Sequence, residues 1–96
     1  MIANKFAVYI MTNNRNTVIY VGRTDNLLKR IRQHKGQYKG FTSKYNVVKL
    51  VYYEIYNYKK MAIKREKQLK NLVRRKKEIL INQFNPGWED LYQEIG

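Results

Sequence analysis

The sequence contains no cysteine, a single proline and only seven acidic residues, and it has no long apolar run. The absence of cysteine excludes disulfides, thiolate zinc sites and cysteine nucleophiles together. No apolar stretch approaches the roughly 20 residues of a membrane-spanning helix. The first apolar segment, "FAVYIMT", is too short and too polar for a signal peptide. We therefore expect a cytoplasmic protein that does not use a membrane.

The shortage of acidic residues leaves a strongly basic chain, with 20 Lys and Arg residues and a formal net charge of +13. Charge this one-sided repels itself, and a polyanionic partner is the usual reason that it is tolerated. Nucleic acid is the commonest such partner, so the composition favours a nucleic-acid-binding protein. An anionic membrane surface is a distant rival, because the basic helical segment lacks a bulky aromatic apolar face.

The 96 residues predict one small domain over residues 1–96, with its core between residues 6 and 91. Alternating β-branched and aromatic residues predict three strands: Phe6–Thr12, Thr17–Gly22 and Val47–Tyr56. Apolar stripes at helical spacing predict three helices, about Asp25–Lys35, Lys59–Leu69 and Val73–Asn82, with Thr24 or Asp25 as the first N-cap. The order β-β-α-β-α-α predicts an α+β fold, a three-stranded, mainly antiparallel sheet flanked by helices.

Three polar residues occupy unusual positions on the predicted helices. Arg30 and His34 are four residues apart, so they share one flank next to the apolar stripe of the first helix. Glu66 is the one acidic residue between Lys59 and Lys77. It is in line with apolar residues expected to face the core: Ala62, Leu69 and Val73. An ionised carboxylate on a half-buried face is costly unless it is paired or binds a metal, which makes Glu66 a candidate site residue.

Two tyrosines, Tyr9 in "VYI" and Tyr20 in "IYV", occupy corresponding places across the predicted hairpin. Together with the arginine, the histidine and the glutamate they suit phosphodiester cleavage. A carboxylate can hold a Mg²⁺ that polarises the phosphate, and an arginine can stabilise the charge that develops on the phosphoryl oxygens. A tyrosine or histidine can take the proton of the attacking water if its pKa is lowered towards neutrality.

The order of several short segments resembles the GIY-YIG endonuclease domain, in particular small stand-alone bacterial proteins related to the N-terminal nuclease domain of the excinuclease C subunit. The resemblance runs from Phe6 to Leu91 and starts with "AVY", "YVGRT", Leu27, Arg30 and His34. It continues through "GFTSKYNVVKLVYYE", "AIKREKQLK", "RRKKEILI" and "NPGWEDL". It implies a DNA endonuclease that uses Mg²⁺ or Mn²⁺, with a role in DNA repair or recombination.

The resemblance also implies a role for each candidate residue. Tyr9 falls on the general base, and Tyr20 on the residue that positions the water or the phosphate. Arg30 falls on the family arginine, His34 on a relay or second polar contact to the base, and Glu66 on the metal ligand.

The chain departs from the family pattern at two places. Ala7 replaces the glycine of the first motif, and the late family asparagine could be Asn82 or Asn85. Nucleic-acid contacts are expected from three basic residues: Arg23, Lys44 and Lys70.

Structural interpretations compete at each single position. A strand tyrosine usually packs its ring, a histidine near a helix C-terminus interacts with the helix dipole, and Glu66 could simply pair with Lys70. An alternative function on the same fold is a non-cleaving or partner-dependent DNA- or RNA-binding module. A protein partner or a homodimer could supply the specificity that a domain of this size lacks.

Overall fold

The computed structural model describes residues 5–37 and 46–96. Lys44, expected to contact nucleic acid, lies outside the described residues, as does most of the polar segment that follows Gly36.

The sheet has three strands, β1 (Phe6–Thr12), β2 (Ile19–Thr24) and β3 (Lys49–Tyr56). They lie in the order β2-β1-β3, and β1 pairs antiparallel with both neighbours. The first strand begins and ends where predicted. The fold is therefore a small α+β domain with a three-stranded antiparallel sheet, as the sequence predicted.

The hairpin loop is longer than predicted because side chains hold its second half away from the sheet. Asn13 Oδ1 accepts hydrogen bonds from the backbone N–H groups of Thr17 and Val18 at 2.8 and 3.0 Å. Arg74 donates to the carbonyls of Asn16 and Thr17, each at 2.8 Å. Backbone groups that are bonded in this way are not available to a strand ladder. Strand β2 consequently starts two residues later than predicted, and it also ends two residues later, at Thr24.

The helices are α1 (Leu27–Arg32), α2 (Lys59–Asn71), α3 (Arg74–Phe84) and α4 (Tyr92–Ile95), and a π-helical turn (Gln33–Gln37) extends α1. Among the described residues, no helix is long and apolar enough to cross a membrane.

Helix α1 starts later than predicted, since neither predicted cap fills that role. Asn26 is the N-cap, and its side chain accepts a hydrogen bond from the Lys29 N–H at 3.1 Å. Thr24 Oγ1 instead accepts from the Asn26 N–H at 3.0 Å, in the bend before the helix. At the other end Gly36, with φ of 96°, lies in the left-handed region at the π-helical turn.

Both faces of the sheet are covered. Alternation along β1 places Ala7, Tyr9 and Met11 in the core under α1 and α4, whereas Val8 and Ile10 lie in the core under α2 and α3. Burial on both faces explains why β1 reads as an almost continuous apolar run. The sheet thus separates two cores, and its edges β2 and β3 are where polar side chains from both layers can meet.

Candidate active site

Tyr9 lies on the central strand, yet its side chain reaches the β2 edge of the sheet. Its cross-strand partner on β2 is Gly22. A Cβ added to Gly22 would lie 2.5 Å from both Cζ and Oη of Tyr9, so the ring occupies the space that any other side chain would need. The glycine therefore allows the Tyr9 ring to lie across β2 with its hydroxyl towards the edge.

At this edge the Tyr9 hydroxyl and His34 Nε2 form a buried hydrogen bond of 3.0 Å. His34 comes from the π-helical turn, a rare conformation that is frequent at functional sites. Tyr20 of β2 pairs with Met11, two residues along β1 from Tyr9. It therefore lies diagonally from Tyr9 on the same face of the sheet. Its ring centroid is 6.3 Å from that of Tyr9 and 5.1 Å from that of His34. The three predicted aromatic residues therefore form one cluster.

Burial determines the protonation of this cluster. Desolvation, reinforced by Tyr20, raises the pKa of Tyr9 well above its ordinary value, and the opposing charge of Arg30 does not offset it. Desolvation and the charge of Arg30 lower the pKa of His34 to about 4, which leaves the imidazole neutral near neutral pH. A tyrosine acting as the base would need a pKa lowered towards neutrality, and Tyr9 does not have one in the protein alone. Near neutral pH the hydrogen bond therefore joins a protonated phenol to a neutral imidazole.

Arg30 of α1 lies close enough to act electrostatically on both members of the pair. Its charge partly opposes the rise in the Tyr9 pKa and adds to the fall in the His34 pKa. It also lines a cleft of about 270 Å³ with two other cations, Arg23 of β2 and Lys59 of α2. Three cations from three elements outnumber the one carboxylate in the lining, Asp25, so the cleft suits a phosphate group.

Glu66 faces inward as predicted, beside the fully buried Ala62 and Leu69 of α2, and its side chain is 17% exposed. The predicted alignment with Val73 is wrong, because α2 ends at Asn71 and Val73 is 64% exposed.

Both carboxylate oxygens of Glu66 are paired with cations. Arg23 Nε lies 3.2 Å from Oε1, and Lys70 Nζ lies 3.1 Å from Oε2. Two residues expected to contact nucleic acid therefore bind the acid instead, and the simple i,i+4 pair with Lys70 is present as well. The charge of Glu66 nevertheless reaches the aromatic cluster, because it contributes to the raised pKa of Tyr9.

Glu66 fits one kind of metal site. Within the described residues, no group of three or more His, Asp or Glu side chains could form a cage made of protein ligands alone. Mg²⁺ is commonly held by one or two carboxylates, several waters and substrate phosphates, so a single carboxylate at the edge of a cationic cleft is compatible with it. Binding there requires Arg23 or Lys70 to release an oxygen of Glu66.

The two candidates for the late asparagine have structural hydrogen bonds. Asn85 is buried, and its Nδ2 donates to the carbonyls of Val51 and Glu89 at 3.2 and 2.8 Å. Asn82 Oδ1 accepts the indole N–H of Trp88. Asn85 therefore fastens the C-terminal segment to β3, the strand at the edge opposite the Tyr9–His34 pair.

A second polar cluster went unpredicted. Glu54 of β3 accepts hydrogen bonds from the hydroxyls of Tyr52 and Tyr56, and Arg65 of α2 donates to both of its oxygens. The alternation Tyr52-Glu54-Tyr56 puts all three on one face of a strand. A carboxylate at a core-facing strand position was a signal of the same kind as Glu66, and it could have been recognised.

Comparisons with known proteins agree with one another. The family model described as the GIY-YIG catalytic domain matches residues 5–79. A UPF0213 protein of Clostridium perfringens is 37% identical over 89 residues, which cover 92% of this chain and 95% of that protein. A UPF0213 protein of Bacillus velezensis is 31% identical over 93 residues, or 96% of this chain and 93% of that protein. No solved structure matches the chain with significance.

Proposed function

The chain belongs to the GIY-YIG family, and from that premise we propose that it is a metal-dependent endonuclease that hydrolyses phosphodiester bonds in DNA. Membership implies nuclease activity in general, whereas the DNA substrate, the metal and the residue roles are our proposal. The observation that carries it is the buried Tyr9–His34 hydrogen bond of 3.0 Å, beside Arg30. This pair can remove a proton from water without forming a buried charge on the phenol.

The proton moves in two linked transfers. As the water oxygen attacks phosphorus, its proton passes to Tyr9 Oη while the Tyr9 proton passes to His34 Nε2. The bond from phosphorus to the leaving 3′ oxygen breaks, and that oxygen takes a proton from solvent. The products are a 5′-phosphate and a 3′-hydroxyl. Because Tyr9 ends the step protonated, its raised pKa does not oppose this route. The neutral His34 accepts the proton as a weak base with a pKa of about 4, and it returns the proton to solvent before the next turnover.

Cationic residues stabilise the developing charge. Arg30 donates to the non-bridging phosphoryl oxygens, and Tyr20 positions the water or the phosphate. Glu66 would hold a Mg²⁺ or Mn²⁺, which when bound supplies further stabilisation of the phosphoryl and leaving oxygens. Arg23 and Lys70, once released from Glu66, are placed to bind neighbouring phosphates of the DNA.

A nicking assay tests the proposed function. Supercoiled plasmid, branched DNA and single-stranded DNA are incubated with wild-type protein in Mg²⁺, in Mn²⁺ or in EDTA. We expect metal-dependent cutting that falls about 100- to 1,000-fold in Glu66→Ala and in Arg30→Ala. The matched controls are Glu78→Ala and Arg75→Ala, an acid and an arginine on α3 away from the cluster, and both should cut like wild type. Preference for the branched substrate would support a role in DNA repair or recombination.

Two results would contradict the proposal in different ways. Salt-sensitive DNA binding by the wild type without cutting would favour the non-cleaving binding module. Undiminished cutting by Glu66→Ala would remove the metal role from Glu66 and leave the nuclease assignment standing.

A further inference from the structure

A second groove lies between α2 and the other edge strand, β3. It has a volume of about 550 Å³ and is lined by Tyr56, Lys60, Met61, Lys64, Arg65 and Gln68. Glu66 forms an ion pair with Arg23 of β2, so it marks the flank of α2 that faces β2. Arg65 forms an ion pair with Glu54 of β3, so it marks the opposite flank. Since β2 and β3 are the two outer strands, the groove and the candidate active site lie at opposite edges of the sheet.

The floor of this groove is fixed by the Glu54 cluster. Arg65 Nε and Nη2 donate to the two oxygens of Glu54 at 2.9 and 3.0 Å, and the Tyr56 hydroxyl donates to the same carboxylate. Arg65 also donates to Gln68 at 3.3 Å. Glu54 is only 17% exposed, and its charge is balanced by Arg65, so it does not repel an anion above it. The Tyr56 ring is therefore held in place before any ligand arrives.

The rim of the groove combines apolar surface with cations. Met61 is 50% exposed, so its side chain is available to a ligand, and its flexible thioether suits a flat partner. Lys60 and Lys64 are exposed, and neither takes part in an ion pair with another described residue. A ring wall, an adaptable apolar contact and two available ammonium groups suit a ligand with flat bases and regularly spaced phosphates.

We propose that this groove binds an unpaired, single-stranded segment of nucleic acid, with a base against Tyr56 and Met61 and the adjoining phosphates against Lys60 and Lys64. Duplex DNA is a poorer ligand, because its base faces are stacked inside the helix. Combined with the proposed nuclease, on which this extension rests, the groove selects substrates in which a single strand continues from the cleaved region.

Equilibrium binding in EDTA tests the groove without any cleavage. A fluorescein-labelled oligothymidine of about 15 nucleotides and a labelled duplex are titrated with each protein, and fluorescence anisotropy is followed. For Lys60→Ala/Lys64→Ala we expect single-strand binding about tenfold weaker, with a log–log salt slope shallower by about 1.4. The control is Lys67→Ala/Lys76→Ala, which removes the same charge from exposed helix positions outside the groove, and its single-strand binding should stay within about twofold of wild type.

A pair of Tyr56 variants isolates the ring. Tyr56→Phe and Tyr56→Leu both lose the hydroxyl that binds Glu54, but only Tyr56→Leu loses the aromatic face. We expect Tyr56→Leu to bind the oligothymidine about tenfold more weakly than Tyr56→Phe, while both bind the duplex equally. Circular dichroism and urea unfolding establish that both variants are folded.

The proposal is overturned if the wild type does not bind the oligothymidine, if the groove and control lysine variants weaken binding equally, or if the Phe and Leu variants match. A loss of duplex binding as large as the loss of single-strand binding also overturns it, because the groove would then be a general DNA surface. If the binding tests fail but the wild type still nicks DNA, the proposed role of the groove is wrong and the nuclease proposal stands. If the binding tests succeed but the wild type does not nick DNA, the nuclease proposal is wrong and the protein is a single-strand-binding protein.

Discussion

At the scale of residues, the chemistry of the site depends on two groups that burial keeps neutral. Tyr9 is 1% exposed and His34 is 3% exposed. Burial raises the pKa of Tyr9 and lowers the pKa of His34, so each shift favours the neutral form. In the proposed mechanism, this neutrality allows the pair to pass a proton along a single hydrogen bond. It also carries a cost outside the working pH range, because the unfolded chain can ionise where the folded chain does not.

His34 should therefore make the protein less stable in acid. The unfolded histidine binds a proton near pH 6.5, whereas the folded one binds it only near pH 4. Between these values the unfolded state binds more protons, so the free energy of unfolding falls as the pH falls. Above pH 6.5 the contribution vanishes. The full loss is about 3 kcal/mol. Urea unfolding of wild type and His34→Gln over this range measures it.

We expect the His34→Gln curve to fall less steeply than the wild-type curve through this window, with the two parallel above it. Although burial acts to raise it, hydrogen bonds from Arg65 and two tyrosines lower the pKa of Glu54. Stability from Glu54 is therefore lost at still lower pH, and it is common to both proteins. Parallel curves throughout would show that folding does not lower the pKa of His34.

Gly22 should be required for packing as well as for activity. In Gly22→Ala the new Cβ falls 2.5 Å from the Tyr9 ring and hydroxyl, so either the ring or β2 must move. We expect destabilisation by about 1–3 kcal/mol in urea unfolding. Nicking should fall about 100-fold, since the Tyr9 hydroxyl is displaced from His34.

Gly87→Ala is the matched control for this substitution. Its Cβ would meet Glu89 Cγ at 3.3 Å, and that side chain is flexible and exposed. Its stability should stay within about 0.5 kcal/mol of wild type. If Gly22→Ala were as stable and as active as this control, the Tyr9 ring could not lie across β2 in the working protein.

At the scale of elements, the sequence predicted the strands and helices whose boundaries depend on neighbouring residues alone. Strand β1, the start of α2 at Lys59 and the break before α3 followed from alternation, helical spacing and the basic run. The resemblance to the GIY-YIG domain is confirmed by the family model that matches residues 5–79. It could be recognised early because it depends only on the order of short segments along the chain. These features need no knowledge of what packs against them.

The elements that were misplaced depend on distant contacts. Strand β2 starts late since Arg74 of α3, far along the chain, holds the carbonyls of Asn16 and Thr17. The same limit applies to the site. Spacing on α2 indicated that Glu66 faces inward, but it could not reveal that Arg23 pairs with it across 43 residues. The direction of the Tyr9 pKa shift could not be predicted from the sequence either, because it depends on burial.

At the scale of the whole molecule, the two flanks of α2 face the two edges of the sheet, where the two proposed sites lie. Its Glu66 flank faces β2 through Arg23, and its Arg65 flank faces β3 and the second groove. Exposed lysines are present on both sides, so the net charge of +13 surrounds both sites rather than marking one of them. Charge alone therefore cannot identify the nucleic-acid path, but the salt dependence of individual variants can.

Duplex binding at the candidate active site should release a countable number of ions. Five cations line the clefts on either side of it: Arg23, Arg30, Lys59, Lys70 and Lys77. In EDTA, Arg23 and Lys70 stay paired with Glu66. If each of the other three contacts a phosphate, the log–log slope of the binding constant against salt is about −2.7, and Lys77→Ala makes it shallower by about 0.9. The neighbouring Lys76→Ala, whose side chain lines neither cleft, should keep the wild-type slope. Anisotropy titrations of a labelled duplex in EDTA give both slopes, and equal slopes would place the duplex away from the Tyr20–Lys77 cleft.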